Sequence, residues 1–563
     1  MELEQPSVQA AGANPVLSPP TGHRSTRGVE AEERRPGSRS SRGTATSWLS
    51  ERRVAAVIIA CAALLAWIHL RNASIWYDEA ITLLTTSGHA QVDWSLGETQ
   101  FQPTADLGKI LLDLRNQDVH PPLYFWTLAI WRVLFGASLE VARSFSAFFI
   151  VATLALLFPV AQQAGVRPAW IPVAVYGASS AGMWYAYDAR PYAMATFLIV
   201  LTQFLAHRNS RWTGVCAAAA VATHYFAVLC VLPVLAVESL GRRKIDRGWV
   251  AWTLLSFGIG SAPLVWLLQI HMVSRPNQYA GFGALSEEVW ALSKGSMQGV
   301  LPNTSLPGWG LAVSAGAFFV CAGLWSALQK RKWAVPVFYG AFLCSFLMLA
   351  VVTNKSIVQM PNAYYLGIAA PWVALLTGYG VRLFPRGSAL LARILTVGLL
   401  TASPIVRTVD YRQMVSRMRA ECSHCAIVAG AGFAGAVPAS VLYEARGMAV
   451  FLLTPGDSVS EVVQRVGGRG TIFFVPTNEP PTATIEREFL REYSSTRRNG
   501  YFEVSLGRAP ALERVSHSQM DPSRCCQLSE ARRFATPAAI FPPLVQDQTL
   551  SATKGRQPRT YWH

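Results

Sequence analysis

The chain has 563 residues, 51% of them apolar and only 15% charged, with 18 tryptophans and a positive mean hydropathy. A soluble protein of this size cannot hide so much apolar surface, so lipid is the solvent for much of the chain. The net charge of +16 sits in an Arg-rich N-terminal tail and in short bursts between apolar stretches. That distribution orients a membrane protein and does not line a basic groove, so nucleic-acid binding is set aside.

Residues 1–50 are rich in Ser, Pro, Gly and Arg without periodicity and read as a disordered cytoplasmic tail. The first apolar run begins near Val54, deeper than a cleavable signal peptide would lie, and reads as a signal anchor. Spans of about 17 to 24 apolar residues then recur to about residue 406. The basic clusters between them are Arg52 with Arg53, Arg208 with Arg211, Arg242-Arg243-Lys244 with Arg247, Lys330-Arg331-Lys332, and Arg382 with Arg386. If all are cytoplasmic, the number of crossings between consecutive clusters must be even. The apolar stretch between Arg211 and Arg242 is too long for one span, and two short spans meeting at His224-Tyr225 bring the chain back. Residues 54–206 contain five membrane-seeking segments, so one of them does not cross. The segment 121–137, PPLYFWTLAIWRVLFGA, is short, aromatic and carries Arg132, and is read as a helix lying at the outer interface.

The result is eleven spans, with the N-terminus inside and the C-terminus outside. The outer face then carries a first loop (71–142), the turn YAYDARPY (185–192), the turn at His224, and a loop from about 273 to 307. After Val406 the composition changes. Ala426–Gly430, Ala449–Thr454, Thr471–Pro476 and Tyr501–Leu506 read as strands, and 437–447, 458–466 and 482–493 as helices. This alternation predicts a small extracytoplasmic α/β domain within 407–512. Residues 516–563 read as a second disordered tail.

The sharpest chemical feature is WYDEA, which puts Asp78 and Glu79 just after the first span. Acids there either stay in solvent for a purpose or simply cap the helix that follows. In VHPPLYFW, two prolines start the interfacial helix and leave His120 at the outer surface. In YAYDARPY, Asp188, Arg190 and Tyr192 lie between two spans, and the planar fork of Arg190 suits a phosphate. His224, Arg143 and Lys355 are weaker members of the same outer-face set.

The order WYDEA, HPPLYFW, ARSFSA, DARPYA and THY resembles the GT-C superfamily of polyprenyl-phosphate-sugar-dependent glycosyltransferases. Within it, the likeness is to the bacterial branch related to dolichyl-phosphate-mannose-protein mannosyltransferases and aminoarabinose transferases, over roughly residues 54 to 406. The resemblance implies a polytopic α-helical membrane protein of about eleven transmembrane helices in the cell membrane. It implies transfer of one sugar from a polyprenyl-phosphate donor to a glycolipid, polysaccharide or protein acceptor at the extracytoplasmic face, by inverting displacement. It makes Asp78 the base, with Glu79 orienting it or the acceptor. Arg190 and His120 become the leading donor-phosphate ligands, with Arg143 and Lys355 assisting. Asp188 then orients Arg190 or touches the sugar, and Tyr192 and His224 are sugar-binding or orienting groups. Relatives commonly carry an Arg-Tyr-Leu segment at a late span, where this chain has NAYYLGIAAP with Tyr364 in place of Arg. Some members use a divalent metal, but the sequence shows no metal-ligand cluster.

Two other functional classes compete. A sugar-lipid flippase or transporter would place polar groups near the membrane midplane, and a non-catalytic homologue would bind the sugar-lipid without transfer. GAGFAG at 430–435 matches a dinucleotide-binding pattern, but it reads more simply as a tight strand-to-helix turn. Asp457 is the nearest acid to complete such a site. Cys422 and Cys425 could bind zinc with His424, but a second ligand pair is missing; a disulfide either within 422–425 or to Cys525-Cys526 in the tail is the other reading, and the sequence does not choose between the two pairings.

Overall fold

The computed structural model describes residues 41–506, apart from 90–96, 118–119, 241–245, 275–281, 301–308, 331, 355, 358–364, most of 385–409, 423, 431–435, 455, 468–469, 478–481 and 499–500. Lys355, Tyr364, the body of the glycine-rich turn and the segment from 516 onward lie outside the described residues.

Helices α1 (Ser41–Asn72), α2 (Tyr77–Thr85), α3 (Leu107–Gln117), α4 (Pro122–Phe135) and α5 (Leu139–Ala164) open the chain. There follow α6 (Trp170–Ala178), α7 (Ser180–Ala186), α8 (Tyr192–His207), α9 (Thr213–Thr223), α10 (Val228–Leu240) and α11 (Arg247–Ser274). Helices α12 (Leu285–Val300), α13 (Trp309–Gln329), α14 (Ala334–Val352) and α15 (Ala370–Val381) complete the bundle. Among the described residues four helices are long and apolar enough to cross a membrane: Leu49–Arg71, Leu139–Ala164, Arg247–Gln269 and Ala334–Val352. The other apolar segments are shorter or broken. Ser179 splits α6 from α7, its hydroxyl accepting from Gly182 N at 2.9 Å and donating to Tyr176 O at 2.6 Å. A hydroxyl that caps the new helix stabilises the break.

End contacts gather the basic clusters at one end of the bundle. Arg167 pairs with Glu51 at 3.7 Å, and Ala169 N donates to the same carboxylate. The Tyr379 hydroxyl donates to Ala164 O, and Lys332 lies beside Gly165. Gly165 ends α5 with φ +76, a left-handed cap that suits glycine. His207 faces Glu238 at 3.5 Å, while the indoles of Trp249 and Trp252 donate to Ser210 O and Arg211 O. Helices α8 and α15 run parallel, Tyr192 lying against Tyr365 and Gln203 accepting from Trp372 further along. Because α10 returns to His207 and α11 starts at Ser210, α9 and α10 form a hairpin with His224 at its tip. The 11 residues of α9 span about 16 Å, roughly half the hydrocarbon thickness.

Two expectations need correction. The tail read as disordered to residue 50 is helical from Ser41, because α1 extends beyond the apolar run. The outer loop expected at 273–307 contains α12, whose Glu288 accepts from Ser356 Oγ and Ile357 N, and whose Ser296 accepts from Tyr339 of α14. Its charged residues masked a segment that packs along the bundle. Helix α4, with 14 residues, spans about 21 Å, short of the roughly 30 Å needed to cross.

The C-terminal region adds α16 (Tyr411–Glu421), β1 (Ala426–Gly430), α17 (Ala436–Glu444), β2 (Val450–Leu453), α18 (Val459–Val466), β3 (Thr471–Val475), α19 (Ala483–Glu492), β4 (Ser494–Arg497) and β5 (Phe502–Ser505). The sheet order is β2-β1-β3-β5-β4, parallel through β2-β1-β3 and antiparallel beyond. Alternate residues of β1 serve two cores. Ile427 and Ala429 meet Met414 and Met418 of α16, while Ala426 and Val428 meet Val462 of α18 and Phe489 of α19. A sheet buried on both faces gives near-continuous apolar strands, which is why β1 and β3 were readable. Cys422 and Cys425 form a disulfide between α16 and β1. Asp457 is held by Thr454 and by Arg465 at 2.8 Å, as the anchor of a turn.

Candidate active site

Asp78 and Glu79 occupy the first turn of α2, where acids complement the helix dipole. Adjacent helical residues point about 100° apart, so the two carboxylates meet different surroundings. Glu79 is fully buried. Its Oε1 accepts from Arg143 Nε at 2.8 Å and Ala189 N at 3.1 Å, and its Oε2 from Arg143 NH2 at 2.7 Å and Trp76 N at 3.3 Å.

Arg143, also fully buried, places its remaining donors on Leu70 O at 3.0 Å, Ala73 O at 2.7 Å and Ser74 O at 2.8 Å. A guanidinium has five N–H donors, and these contacts use them all. Arg143 therefore departs from the expected phosphate contact. It satisfies the carbonyls at the end of α1 and fixes Glu79, a stable use of a buried arginine near a helix C-terminus. Glu79 likewise has its four contacts on protein donors, so it orients α2.

The Asp78 side chain retains 28% exposure and lies 3.9 Å from Arg190 NH2. Arg190 is nearly buried; its NH1 donates to Thr82 Oγ1 at 3.2 Å and to Asp78 O at 3.4 Å. Its NH2 lies 3.2 Å from His120 Nε2. Arginine can only donate, so in this contact Nε2 is the acceptor. The His120 ring lies 5.6 Å from His224, whose Nδ1 accepts from Phe226 N. Behind them Tyr192 is 4.9 Å from His224 and stacks on Tyr185 at 5.3 Å. Asp188 is buried, and its carboxylate accepts from the Trp76 indole at 3.2 Å, tying the 188–190 turn to the residue two before Asp78.

Asp78, Glu79, His120, Arg143, Asp188, Arg190, Tyr192 and His224 are thus drawn into one cluster at the end of the bundle opposite the basic clusters. Among the described residues no group of three His, Cys, Asp or Glu side chains is placed to hold a metal ion. Such a cluster offers one partly open carboxylate as proton acceptor beside a guanidinium and an imidazole suited to an anion.

No protein-family model and no curated protein matches the sequence. Among solved structures, ArnT from Cupriavidus metallidurans in the apo state aligns with a TM-score of 0.51 at 13% identity, over 82% of this chain and 98% of that one. The chain shares the overall fold of that structure. A second structure of the same protein, bound to undecaprenyl phosphate, aligns with a TM-score of 0.48 at 13% identity, over 83% of this chain and 99% of that one.

Two contributors escaped the sequence reading. Thr82 carried a signal, since it lies one helical turn after Asp78 on the same face. Arg132 was placed at the membrane interface, yet it is fully buried. It donates to Leu83 O at 3.0 Å, Phe101 O at 2.5 Å and Ala137 O at 3.1 Å, and to the Thr86 hydroxyl. It therefore folds the first loop against the end of α2. The expected α/β domain also reaches this end of the bundle, where its Tyr443 and Arg446 line a cleft of ≈ 340 Å³ with Thr99, Phe101, Gln102 and Ser138.

Proposed function

We propose that the protein is an integral membrane glycosyltransferase that moves a single sugar from a polyprenyl-phosphate donor to an acceptor on the extracytoplasmic face. The observation that carries this reading is the partly exposed Asp78 carboxylate, 3.9 Å from an Arg190 that also contacts His120. The GT-C fold and the ordered motifs support it. Asp78 takes the proton of the acceptor hydroxyl as that oxygen bonds to the anomeric carbon. The bond from that carbon to the phosphate oxygen breaks, and the configuration inverts. A phosphate monoester has a second pKa near about 6, so the leaving group needs no strong general acid, unlike the two-carboxylate glycosidases. Arg190 and His120 stabilise the departing phosphate by preorganised charge and hydrogen bonding. Glu79 and Arg143 hold α2 in place. The lipid enters laterally between helices, and the acceptor arrives from the aqueous side past the cleft beneath the α/β domain.

The test is transfer in membranes from a panel of radiolabelled polyprenyl-phosphate sugars, comparing the intact protein with Asp78→Asn at matched expression. Label should move into a lipid, glycan or protein fraction with the intact protein and not with the variant. Equal transfer by both would remove Asp78 as the base.

A further inference from the structure

Helix α17 of the C-terminal domain ends on the segments that carry both halves of the buried Glu79–Arg143 pair. Glu444, its last residue, accepts from Ile75 N at 3.3 Å, three residues before Asp78. Tyr443, the residue before it, accepts on its hydroxyl from Leu139 N at 3.0 Å, four residues before Arg143. The Tyr443 ring also meets Phe101 edge-on at 5.3 Å. A second strut comes from the start of α16. Arg412 NH1 donates to Arg71 O at 2.8 Å, its backbone N donates to Ser74 Oγ at 3.1 Å, and its Nε lies 3.5 Å from Glu444. Ala439, Leu442 and Tyr443 belong to the hydrophobic core of the membrane bundle itself.

These contacts converge on Arg71 at the end of α1 and on residues 73–76, the short non-helical link between α1 and α2. Ala73 N closes the last helical bond of α1 on His69 O at 3.3 Å, and beyond it the link's backbone donors need partners from outside α1. Glu444 supplies one at Ile75. The next residue, Trp76, is the N-cap of α2 and donates its N–H to Glu79 and its indole N–H to Asp188. The position of the Asp78 carboxylate relative to Arg190 therefore depends on a link held by the α/β domain.

We infer that the α/β domain is a positioning clamp for Asp78, with Glu444 and Tyr443 as its positioning residues. This rests on the transfer function proposed above. Tolerance for misplacement is small in such geometry, since a shift of about 1 Å can cost about a hundredfold in rate.

The test compares the full-length protein in nanodiscs with Glu444→Ala and Glu444→Gln. Gln keeps an acceptor oxygen for Ile75 N, whereas Ala removes it. Hydrogen exchange across residues 73–82 should quicken in Glu444→Ala and stay near the intact rate in Glu444→Gln. Transfer at saturating donor should fall about tenfold or more in Glu444→Ala, with donor KM within about twofold, and recover largely in Glu444→Gln. Tyr443→Phe should show a smaller fall in rate with the same unchanged donor KM. Unchanged exchange over 73–82 in Glu444→Ala overturns the clamp, and so does faster exchange with undiminished transfer. An intact protein inactive with every donor would count against the proposed function, and the exchange result alone would then decide the clamp.

Discussion

Replacing Glu79 with Gln exchanges one carboxylate oxygen for an NH2 group at a position with no exposure. Each oxygen of Glu79 accepts from two N–H donors. Whichever way the amide turns, its NH2 faces two donors, and the Arg143 charge loses its partner. Breaking a buried pair by removing one member costs about 3–5 kcal/mol. The carbonyls of Leu70, Ala73 and Ser74 still hold Arg143 at the negative end of α1, so the lower end, about 3 kcal/mol, is expected. Asp78 is the contrast. It is partly exposed and 3.9 Å from its cation, so Asp78→Asn should change stability by only about 0–1 kcal/mol. Heating each variant in identical nanodiscs, with tryptophan fluorescence and sugar transfer as readouts, separates the two. Glu79→Gln should unfold at clearly lower temperature, and Asp78→Asn should stay folded but inactive. A Glu79→Gln protein as heat-stable as the intact one, or an Asp78→Asn protein equally weakened, would refute the division into a locked acid and a working one.

Arg190→Gln should raise the donor KM about tenfold to a hundredfold, the range for a hydrogen bond to a charged group; unchanged donor binding would remove it from the phosphate site. His120→Gln should act in the same direction and more weakly. Arg132→Met should expose the segment 86–106 to limited proteolysis, because Leu83, Phe101 and Ala137 lose a shared donor; an unchanged cleavage pattern would contradict its pinning role. Burial pushes the Asp113 carboxyl up to about 6, against the pull of Lys109. The folded chain then holds a proton that the unfolded chain releases, so stability falls as pH rises from about 4 to about 6. Asp113→Asn should therefore be the more heat-stable protein at pH 7.5, with the gap closing toward pH 4, and a pH-independent difference would contradict this. Arg446→Ala, at the rim of the cleft, should raise the acceptor KM and leave the donor KM unchanged, and an acceptor KM equal to that of the intact protein would place acceptor entry elsewhere.

The sequence by itself determined the solvent and which basic clusters share an end of the bundle. Apolar composition dictates burial in lipid, and charge in short loops records which ends share a side. The hairpin at His224 followed from the length of the apolar stretch between two basic clusters and from parity, and the His207–Glu238 and Ser210–Trp249 contacts agree with it. Strands β1, β2 and β3 were legible as short apolar runs, the mark of a covered sheet, and β5 by its alternation of Phe502 and Val504 with Glu503 and Ser505. The edge strand β4, Ser494–Arg497, is polar and carries no such signal. Charge also misled at α12, whose acidic first turn reads as solvent-exposed while Glu288 in fact caps a neighbouring segment inside the bundle. Only the tertiary structure decided how the site's charges are shared. Asp78 and Glu79 are neighbours in sequence, but the 100° turn of a helix sends one toward Arg190 and the other into Arg143. The sequence offered Arg190 as the leading phosphate ligand and Arg143 as an assisting one; all five N–H donors of Arg143 are taken by Glu79 and by the carbonyls of Leu70, Ala73 and Ser74. Ile75 and Glu444 are 369 residues apart, and no local pattern encodes a hydrogen bond across that separation. Periodicity and charge report each residue's own preference for water or lipid, whereas a partner is chosen by the packing of the whole chain.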